Sequence, residues 1–111
     1  EIEDIIKKLK RGKAYGWDKV GNDFYKLCVQ VIAPYVAHVA LACLRLSYHP
    51  ERFKYALTVM IPKEGKDSYS DPKNWRPIAL LSSLGKIVER VVARRFTDVI
   101  LEQKLLPESQ M

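Results

Sequence analysis

Two short extended runs, separated by a loop of turn-forming residues, constrain this chain more than any other feature. The run Ala56-Leu57-Thr58-Val59-Met60-Ile61 is apolar and rich in strand formers, and its length and composition fit a buried strand better than a helix. Pro62 and Lys63 end it. Between Glu64 and Trp75 lie Gly65, Asp67, Ser68, Ser70, Asp71, Pro72 and Asn74, a cluster that predicts an antiparallel return. Arg76 opens the second run. Pro77 disfavours the α region for the residue before it, so Arg76 is expected to be extended, with its planar fork of donors held to a narrow range of directions. The return brings Lys63 and Arg76 together at the loop end of a hairpin, an arrangement suited to gripping a polyphosphate.

The rest of the chain reads as helices. Ile2, Ile5, Ile6 and Leu9 repeat at helical spacing, and the cations Lys7, Lys8, Lys10 and Arg11 suit the negative end of that helix, with Gly12 as its stop. A second helix is predicted from Asn22 or Asp23, either of which can cap the amides ahead of Phe24, Leu27, Cys28 and Val31. Pro34 is expected to open a third, carrying Val36, Val39, Ala40, Cys43 and Leu44 to about Ser47, before Tyr48-His49-Pro50 turns the chain. The last helix has the clearest pattern. Leu84, Ile87, Val88, Val91, Val92, Phe96, Val99 and Ile100 form one apolar stripe, with Ser82 or Ser83 placed to cap it. Its other face spaces Lys86 with Glu89 and Arg94 with Asp98 for ion pairs, an ordinary solvated surface. Lys86 nevertheless stands in the first turn, where the helix dipole disfavours a cation, which hints at an anionic neighbour.

Composition sets the limits. A chain of 111 residues makes one domain at most, and 48% hydrophobic with 29% charged residues is ordinary for a folded protein. Nineteen Lys and Arg against 13 Asp and Glu leave a net charge of +6, which favours polyanionic partners. Leu27 to Leu46 is apolar, but Gln30, Pro34, His38 and Arg45 interrupt it, so packed helices are expected rather than a membrane span. The acidic start, Glu1, Glu3 and Asp4, does not read as a cleavable signal, and an intracellular location, nuclear or cytoplasmic, is expected. Cys28 and Cys43 read as small core residues rather than a disulfide pair. His38 has no second ligand at a trustworthy spacing, His49 reads as a turn residue, and no metal site is expected. Trp75 offers a ring for base stacking, although anchoring the hairpin to the helices is the commoner role.

A family resemblance runs through these same segments in order. Gly12-Lys13-Ala14-Tyr15-Gly16-Trp17-Asp18 resembles a Lys-Ala-Pro-Gly-Pro-Asp pattern, and Phe24-Tyr25-Lys26-Leu27, Ile32-Ala33-Pro34-Tyr35 and His49-Pro50-Glu51 continue it. Ile61-Pro62-Lys63-Glu64-Gly65-Lys66-Asp67, Arg76-Pro77-Ile78-Ala79-Leu80-Leu81 and Leu84-Gly85-Lys86-Ile87-Val88-Glu89-Arg90 complete it. Six or more pieces in one order resemble the front part of a reverse transcriptase of the non-LTR retrotransposon, LINE-like kind. Tyr15 and Trp17 depart from it by replacing both prolines of the first pattern. Either aromatic could fill an apolar gap or lie exposed.

The resemblance implies an α+β fragment, mostly helical with a small antiparallel hairpin, equivalent to the fingers and the approach to the palm of a right-hand polymerase. Residues 1–111 would form part of a reverse transcriptase domain whose catalytic palm is absent. It implies that Lys63 and Arg76 contact the triphosphate of an incoming dNTP, whose leaving pyrophosphate gains charge that two such cations offset. Lys66, Lys73 and Lys86 are candidates for the backbone of an RNA or DNA template-primer, with plain solvation the alternative for the two loop lysines. Polymerases of this kind use two Mg²⁺ ions about 4 Å apart on palm aspartates. The only adjacent carboxylates here are Glu3-Asp4, so the chain is expected to lack the catalytic ligands and to need the palm and thumb as partners. Two rival readings are a stand-alone basic nucleic-acid-binding module and an inactive relic of a mobile element.

Overall fold

The computed structural model describes residues 1–110. Five helices and one hairpin follow in order: α1 (Ile2–Lys7), α2 (Asn22–Leu27), α3 (Val29–Leu46), α4 (Glu51–Lys54), β1 (Leu57–Pro62), β2 (Trp75–Leu80) and α5 (Ser83–Glu102). Short 3-10 turns at Pro72–Asn74 and Glu108–Gln110 complete it. The chain is mostly helical with a small two-stranded antiparallel sheet, as expected of an α+β fragment.

The core lies where α1, α3 and the first half of α5 meet. Ile5, Ile6 and Leu9 from the α1 region, Tyr25 from α2, Ala33, Val36 and Ala40 from α3, and Ile87, Val88 and Val91 from α5 are its buried side chains. Small residues on α3 let its backbone come near its neighbours, and the branched side chains of α1 and α5 fill the space between. Ser82 caps α5: its hydroxyl accepts from the Gly85 amide at 3.0 Å.

Several expectations need correction. Helix α1 ends at Lys7, so Lys10 and Arg11 lie beyond it, and Gly12 takes a left-handed φ of 66° in the following loop. Neither Asn22 nor Asp23 caps α2. Asn22 donates from its side-chain amide to the Lys10 carbonyl, and the Asp23 carboxylate accepts from the Gly12 amide, so both tie the helix start to the preceding loop. Pro34 does not open α3 but lies inside it, where the ring leaves the Gln30 carbonyl without its helical donor. The hinge falls instead at Cys28, whose carbonyl accepts from both Val31 and Ile32.

Burial is also less complete than the apolar patterns suggest. Helix α3 buries one face only, leaving Val31, Tyr35 and Leu46 exposed. It is long and apolar enough to cross a membrane by length and composition, yet its inner face packs on the core helices. Beyond Val91 the stripe of α5 runs into solvent: Val92, Phe96 and Val99 are exposed. The pairs expected on α5 do not form. Glu89 faces His49 at 3.8 Å and Arg95 reaches Glu1 at 3.1 Å. The run from Leu57 is a strand as expected, but an exposed one, not a buried one. Cys28 and Cys43 are unbridged and half-buried.

Candidate functional site

The hairpin builds the site. In its register Leu57 pairs with Leu80, Val59 with Ile78 and Ile61 with Arg76. The Lys63 amide donates to the Asn74 carbonyl at 2.8 Å, which carries the ladder one rung past the strand ends. Side chains alternate across a strand, so Lys63 and Arg76 stand on the same face as diagonal neighbours, with Val59, Ile61 and Ile78 behind them. Such diagonal positions lie about 7–8 Å apart, within the span of a phosphate chain held between two long side chains. Trp75, Met60 and Pro77 occupy the opposite face.

The loop is held by its own side chains. Lys63 Nζ donates to the Lys73 carbonyl at 2.6 Å, and the Tyr69 hydroxyl donates to the Lys63 carbonyl at 3.1 Å. Asn74 donates to the Ser68 carbonyl at 2.7 Å and Asp71 accepts from the Lys73 amide at 2.9 Å. Trp75 donates its indole N–H to the Tyr69 carbonyl and meets the Tyr69 ring edge-on at 5.7 Å. Trp75 thus anchors the loop to the hairpin and not the hairpin to the helices, and sequence reasoning gave Tyr69 no part in it.

Electrostatically the site is uncompensated. Among the described residues no carboxylate lies within ion-pair distance of Lys63, Arg76, Lys66, Lys73 or Lys86. Lys63 is half-buried, whereas Arg76, Lys66 and Lys73 are exposed. Lys66 and Lys73 belong to the same loop as the pair, while Lys86 sits half-buried in the first turn of α5, outside the hairpin. No group of three or more His, Cys, Asp and Glu side chains converges among the described residues.

A second feature borders the hairpin. The turn Tyr15–Asp18 passes over the junction between β2 and α5, where Gly16 is buried so closely that a Cβ would lie 2.6 Å from the Leu81 carbonyl carbon. Beside it the Trp17 indole donates to the Arg52 carbonyl at 3.0 Å, and its ring meets Tyr55 edge-on at 6.4 Å. The turn closes through the Lys19 amide on the Gly16 carbonyl, and the Asp18 carboxylate accepts from the Val20 amide. Burial pushes the Tyr25 phenol above its ordinary value, and the negative charge of Asp18 adds to that shift. Both aromatics at the replaced prolines are partly exposed, Tyr15 at 49% and Trp17 at 41%, and Trp17 in addition meets the α4 region through Arg52 and Tyr55.

No family model matches the chain. Among curated proteins, it is 40% identical over 110 residues to a probable RNA-directed DNA polymerase from transposon BS of Drosophila melanogaster. It is 34% identical, again over 110 residues, to the probable RNA-directed DNA polymerase from transposon X-element and to the RNA-directed DNA polymerase from mobile element jockey, both of the same fly. Each alignment takes in 99% of this chain but 12% of the relative, so the chain spans about an eighth of their length. A type-1 retrotransposable element R1 polyprotein of Bradysia coprophila aligns over 107 residues at 29% identity. Over nearly its whole length, the chain is homologous to one segment of the RNA-directed DNA polymerases of non-LTR, LINE-like retrotransposons.

Proposed function

We propose that this chain is the fingers segment of such a polymerase, that its hairpin grips the triphosphate of an incoming dNTP through Lys63 and Arg76, and that Lys66, Lys73 and Lys86 lie along the template-primer backbone. One observation carries the reading: the two cations share one hairpin face as diagonal neighbours, and no described carboxylate neutralises either. A cation pair unsatisfied within the protein is poised for an anion from outside it. Arg76 supplies a planar fork for two phosphate oxygens, and Lys63, tied at one proton to the Lys73 carbonyl, keeps two more for the ligand.

In this reading residues 1–111 contribute binding and orientation, and the partners are the dNTP, an RNA or DNA template-primer and the palm and thumb of the parent enzyme, in the nucleus or cytoplasm. Mg²⁺ and the aspartates that hold it are assigned to the palm. The chain alone binds without polymerising.

Titration calorimetry with a Mg-nucleotide at fixed salt tests the grip. Saturable binding in the parent that is weakened in both Lys63→Ala and Arg76→Ala is expected. Undiminished binding in either variant, or no saturable binding in the parent, overturns the assignment for this chain. For the template contacts, alanine at Lys66, Lys73 or Lys86 should weaken binding of single strands alike for all sequences, lowering the slope of log affinity against log salt by about one each.

A further inference from the structure

The hairpin joins the helical body through two short junctions, Tyr55–Ala56 before β1 and Leu81–Ser82 after β2. No residue of either strand is buried, so no packed sheet face fixes its angle to the helices. Both junctions are instead touched by one short turn. Gly16 presses on Leu81–Ser82 so closely that nothing larger than hydrogen fits, while Trp17 holds the α4 end through the Arg52 carbonyl and lays its ring against Tyr55.

We propose that the turn Tyr15–Asp18 is a strap that sets the angle of the hairpin, with Gly16 and Trp17 as positioning residues for the Lys63–Arg76 pair. The assignment of a role to that pair rests on the triphosphate reading above; the mechanical role of the strap does not. Two pivots gripped by one rigid piece cannot swing independently. The turn is rigid because the Lys19 amide closes it on the Gly16 carbonyl and the Asp18 side chain secures its exit at Val20. Trp17 stands where the resembling pattern has proline, and proline has no donor that could reach the Arg52 carbonyl. The indole adds both a hydrogen bond and a broad contact with the base of β1. Loosening the indole leaves the helices packed, because its partners Arg52 and Tyr55 lie outside the core of α1, α3 and α5.

The test is a distance distribution between spin labels at Lys66→Cys, in the hairpin loop, and Arg90→Cys, on α5, with Cys28→Ser and Cys43→Ala removing the native thiols. Trp17→Ala should broaden the distribution, and Trp17→Phe, which keeps a ring against Tyr55 but no N–H, should broaden it less. Gly16→Ala should displace its mean, since Leu81 must move. Helical circular dichroism of each variant is recorded alongside. An unchanged distribution in Trp17→Ala overturns the proposal whatever happens to stability, and so does broadening seen only where both ring variants lose helical signal. Mg-nucleotide titration separates the two readings. If the held angle falls to about a tenth of the population, apparent affinity falls about tenfold. Broadening without nucleotide binding in the parent would sink the grip and spare the strap, and binding with an unchanged distribution would do the reverse.

Discussion

At Ser47 the backbone takes a left-handed φ of 50°, a conformation that glycine adopts without the steric cost carried by other residues. The position ends α3: the Tyr48 amide reaches back to the Cys43 carbonyl and the Ser47 amide to the Leu44 carbonyl, the paired bonds that close many helices on a glycine. Ser47→Gly should therefore stabilise the chain, by about 0.5–1 kcal/mol, read as a higher urea midpoint at unchanged slope. Single residues were legible in the sequence where chemistry is local. Ser82 was readable as a cap because the amides it serves lie within its own turn, and Arg76 was readable as extended because Pro77 follows it. Gly16 was not, since what excludes a side chain there is Leu81, far along the chain. Asn22 and Asp23 misled because a cap and a tie to a neighbouring loop use the same oxygen and amide groups.

Elements were legible in type and order, and less so in what covers them. The stripe on α5 announces a helix correctly, but periodicity tells which face is apolar and not how much of that face meets a partner. Half of it does. Ile87→Ala, at a side chain with no exposed surface, should cost about 2–5 kcal/mol. Phe96→Ala on the uncovered half should change stability by less than about 0.5 kcal/mol, and chemical denaturation of both variants distinguishes a fully packed helix from this one. The start of α1 is also joined to the middle of α5 by charge. Arg95 bonds to the Glu1 carboxylate and holds it below its ordinary value of 4.5, so the contact stabilises the fold above that value and is lost as pH falls through the lowered one. Arg95→Ala should flatten the acid limb of the stability profile there, with little change in shape near neutrality, because the pair is exposed and screened.

The whole molecule is more open than its length requires. Its surface is 8466 Å², where a compact monomer of 12.8 kDa would expose about 6,300 Å². Its radius of gyration is 17.6 Å, against about 13 Å for a compact domain of this size. The difference lies in the hairpin, the outer face of α3 and the far half of α5, all carrying apolar side chains into solvent. Surface on this scale exceeds what a stable protein interface needs on one partner. The isolated chain should therefore self-associate as concentration rises, and sedimentation equilibrium should give a mass above 12.8 kDa that falls on dilution; a single monomeric mass throughout would count against it. Such openness was the hardest property to read from sequence, because an apolar pattern looks the same whether its cover lies within the chain or outside it. The hairpin also bears on the form that association takes. A two-stranded sheet has two outer edges, and alternation from the inward Lys63 amide turns Pro62 and Pro77 outward, one on each edge. Each proline removes a donor that an incoming strand would need, so neither edge can template continuous strand addition. The clumping expected of this chain is accordingly a matter of side chains meeting side chains, and the sheet is protected against growing into a fibril.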